Sequence, residues 1–184
     1  MSQTTILFIQ GGAEGAYSED MPFVADLQSA LRAEVIAYPA MPGLERLDWP
    51  EARQNILAAL EELLPGTSVI AHSLGASGVL KVLSEEGRSF GINGLFLLAT
   101  PYVLSDGEWG DQPFSFDADF ADRLPDVGPI TLYHSRDDQF IPFSHLGLWG
   151  ARTHGAKLVA VDGHGHFGSH QVPELIADVR AHRQ

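Results

Sequence analysis

No cysteine occurs in the 184 residues. Disulfides, thiolate nucleophiles and Cys-ligated zinc or iron–sulfur sites are therefore excluded. Positive charge is also scarce: 11 Lys and Arg stand against 24 Asp and Glu, a formal net charge of −13. Binding to nucleic acid needs Lys and Arg to displace counterions from phosphate, so no nucleic-acid partner is expected. An anionic membrane surface is disfavoured for the same reason. No apolar run is long enough to span a bilayer. The run over residues 6–9 stops at Gln10-Gly11-Gly12, too short for a signal-peptide core, and no basic side chain precedes it. The expectation is a cytoplasmic protein. With no internal repeat, low-complexity tract or linker, residues 1–184 are expected to form one domain with a core of its own.

What is present is an alternation of short apolar runs with helical patterns. Residues 4–9, 34–37, 67–72, 94–99, 129–134 and 157–161 are nearly continuous in Val, Ile, Leu or Phe, as strands covered on both faces should be. Asp48-Trp49-Pro50-Glu51 combines an N-cap Asp, a first-turn Pro and a Glu at N3. The helix it opens carries Ala52, Ile56, Leu60 and Leu63 on one face, and Pro65-Gly66 stops it. Asp20-Met21-Pro22 is expected to open an earlier helix with Phe23, Leu27 and Leu31 in register. Pro173 starts the last, carrying Leu175, Ile176 and Val179. Strand alternating with helix predicts an α/β fold with a parallel sheet and right-handed crossovers.

Ala71-His72-Ser73-Leu74-Gly75 lies between the strand over 67–72 and the apolar helical run over 76–83. A serine in such a turn holds a strained backbone so that its hydroxyl projects above the sheet, and the residues two before and two after must be small. Ala71 and Gly75 are small, although the pattern more usually begins with Gly. The competing interpretation makes Ser73 a helix N-cap and nothing more. Its neighbour His72 is expected to be a packing residue at the strand end.

Downstream, Asp137-Asp138 follows the fifth strand, and Val161-Asp162-Gly163-His164-Gly165-His166-Phe167 closes the sixth. A carboxylate there can orient the imidazole of a histidine that deprotonates the serine. Either aspartate and either histidine satisfies this spacing, and the aspartate not used is expected to be a solvated turn residue. A metal site built from His164, His166, His170 and Asp162 is the rival, but the spacing matches no zinc signature. The order Ser…Asp…His resembles that of α/β-hydrolases. In that fold two backbone N–H groups hold the oxyanion, here assigned to Leu74, after the serine, and to Gly12, in the loop after the first strand. Gly11, Gly12 and Gly15 do not form a dinucleotide fingerprint, and Glu14, Glu19 and Asp20 would repel a phosphate.

The long connection 100–128 contains Tyr102, Trp109, Phe114 and Phe116, with at most a short helix over 117–124. It is too short for a separate helical cap, which predicts a shallow site open to solvent. Trp109 is the candidate substrate contact there, with packing beneath the loop as the alternative.

Taken together, Ile9-Gln10-Gly11-Gly12-Ala13-Glu14-Gly15-Ala16, Tyr38-Pro39-Ala40-Met41-Pro42, the serine turn, Asp137-Asp138 through Pro142, and Gly165-His166-Phe167 resemble a known family. It is that of the compact bacterial α/β-hydrolases related to the retinoblastoma-binding serine hydrolase group. The resemblance implies a six-stranded parallel sheet in the order 2-1-3-4-5-6 without a cap domain. It selects Asp138 and His166 from the two doublets, giving a Ser73, Asp138, His166 triad. It further implies a serine hydrolase that cleaves a small-molecule carboxylic ester through an acyl-enzyme and needs no cofactor or metal. An amidase or peptidase with the same triad, or an interaction module on a hydrolase scaffold, are the alternative functions.

Overall fold

A computed structural model of the chain describes residues 4–32, 35–103, 113–168 and 171–182. Six strands, β1 (Thr4–Ile9), β2 (Val35–Ala37), β3 (Thr67–His72), β4 (Ile92–Leu98), β5 (Ile130–Ser135) and β6 (Lys157–Val161), make one sheet. Every pairing is parallel, in the order β2-β1-β3-β4-β5-β6. The first crossover runs one way from β1 and the rest run the other way. The sheet therefore switches direction between β1 and β3, where open α/β sheets form their ligand crevice.

Alternation within each strand feeds two cores. Leu7, Ile9, Val69, Ala71, Leu95 and Leu97 face one side. There they meet α2 (Pro42–Glu45), α3 (Trp49–Glu61), α4 (Ser73–Glu86) and α5 (Ser144–Arg152). Ile6, Phe8, Ile70, Phe96 and Leu98 face the other, against α1 (Ala16–Ala30) and α6 (Pro173–His182). This double coverage is why the central strands read as nearly continuous apolar runs, while the edge strands β2 and β6 are less covered. All six residues of β3, the strand that ends at the serine turn, are buried. The capping signature at Asp48 holds: its carboxylate accepts the Glu51 N–H at 3.2 Å and α3 follows.

Three features depart from the sequence-based expectation. The first helix begins at Ala16, with Gly15 at its N-cap, so Pro22 lies inside it and removes a ladder bond. Asp20 is consequently no cap but a helical residue 3% exposed. The helix after β3 opens at Ser73 itself rather than at residue 76. Finally, α5 had no readable pattern, because Gly147 and Gly150 depress helix propensity. Packing restores it: a Cβ at Gly150 would stand 2.4 Å from Leu158 Cδ1, so the missing side chain lets α5 lie close on β6. Trp109 and His170 lie outside the described residues.

Candidate active site

Ser73 occupies the β3–α4 turn with φ 49, the left-handed region that a non-glycine residue adopts only under constraint. The turn is wedged against the end of β1. Ala71 pairs with Ile9 and is fully buried, and a Cβ on Gly75 would lie 2.0 Å from the Gln10 carbonyl oxygen. Larger residues at either flank would drive the serine out of position.

The loop after β6 carries His166 over the sheet end, where its Nε2 lies 3.0 Å from Ser73 Oγ. Its Nδ1 lies 2.8 Å from Asp138 Oδ2. A carboxylate only accepts, so Nδ1 holds the proton and Nε2 offers its lone pair to the serine hydroxyl. Asp138 Oδ1 accepts the N–H groups of Phe140 at 2.8 Å and Ile141 at 3.0 Å, and its side chain is wholly buried. Burial by itself raises the Asp138 carboxyl, but the His166 N–H and these two amides outweigh it and hold the group below the ordinary carboxylate value.

The other member of each doublet stays out of this row. Asp137 is an exposed turn residue, as expected, but it also anchors the loop. It accepts the Ser135 hydroxyl and the amides of Gly163 at 3.1 Å and Gly165 at 3.2 Å, pinning the loop that carries His166. The Ser135 hydroxyl contributes most to holding its carboxyl below the usual range. His164 donates its backbone N–H to Ser135 Oγ at 3.2 Å, and its ring stacks on Phe167.

Gly12 and Leu74 both line the pocket beside Ser73. Leu74 is the second residue of α4, so its N–H has no partner in the helix ladder. A Cβ on Gly12 would stand 2.6 Å from Leu74 Cδ2 and 2.9 Å from Leu74 Cβ, so the loop after β1 abuts the serine turn.

A serine hydrolase family model matches residues 27–173 of the sequence. The chain belongs to the serine hydrolase family. The protein is an enzyme, and the match spans the serine turn and both downstream loops. No protein of curated function matches the sequence. Solved structures share the fold of this hydrolase. The ydeN gene product from B. subtilis is 18% identical with a TM-score of 0.78, covering 98% of this chain and 99% of that one. Est1E from Butyrivibrio proteoclasticus, bound to ferulic acid, is 18% identical with a TM-score of 0.70, covering 98% and 88%. The esterase domain of a Rhodothermus marinus protein is 21% identical with a TM-score of 0.59, covering 97% and 85%.

Beside Ser73 the hydrolase has a pocket of about 540 Å³, lined by Leu47, Leu74, Val103, Phe114 and Ile141 among others. A cleft of about 510 Å³ between β2 and α3 has no hydrogen-bonded nucleophile and base among its lining residues. Phe116 is a packing residue, its ring centroid 5.4 Å from that of Trp149, and Phe114 packs on Trp49 at 5.2 Å while also facing the pocket. The described residues of 100–128 form no helical cap, only a 3-10 turn over Phe120–Arg123. No described helix is long and apolar enough to cross a membrane.

His72 and Asp20 were not expected at the site. His72 is more than strand-end packing: its imidazole lies 2.9 Å from Asp20 Oδ1 and 2.9 Å from the His166 carbonyl oxygen. Its place next to the serine was the one sequence signal for such a role. Asp20, distant in the chain and inside a helix, carried none.

Proposed function

We propose that the protein hydrolyses small carboxylic esters through an acyl-enzyme on Ser73, as a compact relative of the retinoblastoma-binding serine hydrolase group. The observation carrying this reading is the row of short contacts, Ser73 Oγ to His166 Nε2 at 3.0 Å and His166 Nδ1 to Asp138 Oδ2 at 2.8 Å. His166 takes the hydroxyl proton as Oγ attacks the ester carbonyl, and Asp138 stabilises the imidazolium that results. The N–H groups of Gly12 and Leu74 receive the oxyanion, each worth about 3 kcal/mol in the transition state. Collapse expels the alcohol with the proton from His166. Water then attacks the acyl-enzyme with His166 again as base, releasing the acid and restoring Ser73. The apolar pocket beside Ser73 suits the acyl group. The esterase activity named for the Rhodothermus marinus domain, which shares the fold, favours ester over amide.

The test is covalent labelling with a fluorophosphonate, followed by turnover of p-nitrophenyl acetate and a matched amide. The wild type is expected to label and to cleave the ester faster. Ser73→Ala should do neither while keeping its fold. Equal activity in the two proteins would refute the proposal.

A further inference from the structure

We propose that Asp20 and His72 form a buried carboxylate–imidazolium pair that positions two loops of the site: Asp20 holds the loop after β1, and His72 holds the backbone of His166. The inference rests on Ser73, His166 and Asp138 being the reacting groups. His72 and Asp20 would not touch substrate but would act through the residues that do.

The hydrogen-bond chemistry leaves little choice. His72 Nδ1 lies 2.9 Å from Asp20 Oδ1 and 3.1 Å from Oδ2, and Nε2 lies 2.9 Å from the His166 carbonyl oxygen. A carboxylate and a carbonyl only accept, so each contact needs an N–H on the ring, and a ring with two is an imidazolium. Both side chains are removed from water, at 8% and 5% exposure for His72 and Asp20. A lone charge buried there would be costly, whereas a hydrogen-bonded pair is tolerated. Asp20 Oδ2 also accepts the Gly11 N–H at 2.8 Å, next to Gly12. One pair therefore joins α1, the loop after β1, the end of β3 and the loop after β6. Burial alone would lower the His72 ring, but the Asp20 charge and hydrogen bond, with smaller contributions from the His166 carbonyl and then Asp138, raise it above the ordinary imidazole value. The titratable groups around it are Glu19 and Asp20 on α1, Asp138 after β5, and His164 and His166 after β6. Because the folded value is raised, the brace is complete below the ordinary imidazole value and is lost as pH rises through the folded one.

Removing the Asp20 carboxylate breaks the arrangement in a defined way. Asp20→Ala leaves His72 Nδ1 and the Gly11 N–H without their acceptor. In Asp20→Asn the amide N–H can donate to Nδ1 of a neutral ring and the amide oxygen can accept the Gly11 N–H, so the contacts persist without the charge. His72→Asn retains a donor near Nδ1 and loses the one to His166, whereas His72→Gln retains a donor near Nε2. Imidazole nitrogen NMR of the wild type near neutral pH, with His72 assigned through its contacts to the His166 ring, should show both His72 nitrogens protonated. In Asp20→Asn the His72 titration should move to lower pH. Turnover should fall about 10-fold or more in Asp20→Ala and His72→Asn, with KM nearly unchanged, and Asp20→Asn and His72→Gln should each recover part of it. A neutral His72 ring in the wild type would overturn the proposal whether or not the variants fold. Full turnover in folded Asp20→Ala and His72→Asn would overturn it too. An inactive wild type with a charged His72 would instead count against the esterase reading alone.

Discussion

Asp137 and Asp138 leave β5 one after the other, and the turn sends their carboxylates to different partners. Asp138 meets an imidazole N–H and two amides in full burial, while Asp137 reaches two glycine amides at the surface. A tight turn places neighbours on opposite sides, so only one can face the histidine. Under the proposed mechanism, Asp138→Asn removes the charge that stabilises the imidazolium, and His166→Ala removes the base. Each is expected to lower kcat by about 10³-fold or more on p-nitrophenyl acetate, because such groups act as a unit. Asp137→Asn keeps one accepting oxygen for the loop, and His164→Ala leaves its backbone contact to Ser135 intact, so both should lose far less. A larger loss at Asp137 or His164 than at Asp138 or His166 would reverse the assignment.

The loops that follow the strands carry the strain of the fold. Among the described residues six non-glycine residues have positive φ, and Ala13, Ser73, Ala99 and Phe167 follow β1, β3, β4 and β6. Each such residue costs about 1–3 kcal/mol and persists only where its surroundings hold it, which they do around the serine turn. The contact between the loop after β1 and α4 gives a direct test of the oxyanion assignment. In Gly12→Ala the added carbon would press on Leu74, including its Cβ, which has no freedom to swing away. The two N–H groups would part, and kcat should drop by about 10²-fold while fluorophosphonate labelling slows in step. Unchanged kcat would remove Gly12 from the mechanism. At this scale the strands were the most legible elements. β1, β3 and β6 lie where the apolar runs placed them; in β1 and β3 the run reflects burial on both faces, whereas β6 is an edge strand with most of its residues exposed. The start of α1 was misread because Asp-x-Pro is a start signal in most contexts, and here the Asp is turned inward to His72.

Across the whole molecule, the sheet's change of direction between β1 and β3 brings Gly12, Ser73 and Leu74 to one crevice. The pocket there is apolar but open, with Leu47 on its lining 50% exposed. A methylene gains about 0.8 kcal/mol only where it is removed from water, and an open rim removes few. Values of kcat/KM for p-nitrophenyl esters are therefore expected to peak around acetate to butyrate and to fall for longer chains. A profile rising steadily to long acyl groups would show a deep tunnel and refute this view of the pocket.

The sequence alone determined the α/β alternation, the parallel sheet, the small-residue turn around Ser73 and the two short doublets from which Asp and His had to come. These are local matters of periodicity, turn sterics and residue chemistry, so they are written within windows of a few residues. Resemblance between motifs, not spacing, distinguished Asp138 from Asp137 and His166 from His164. Tertiary structure decided what depends on approach between distant segments. It seated α5 on β6 through Gly150, turned Asp137 into a loop anchor, and joined Asp20 to His72 across 52 residues of chain. A buried polar pair has no periodicity to betray it. Its partners are chosen by which hydrogen-bonding groups lose water together when the chain closes, and that is settled only in three dimensions.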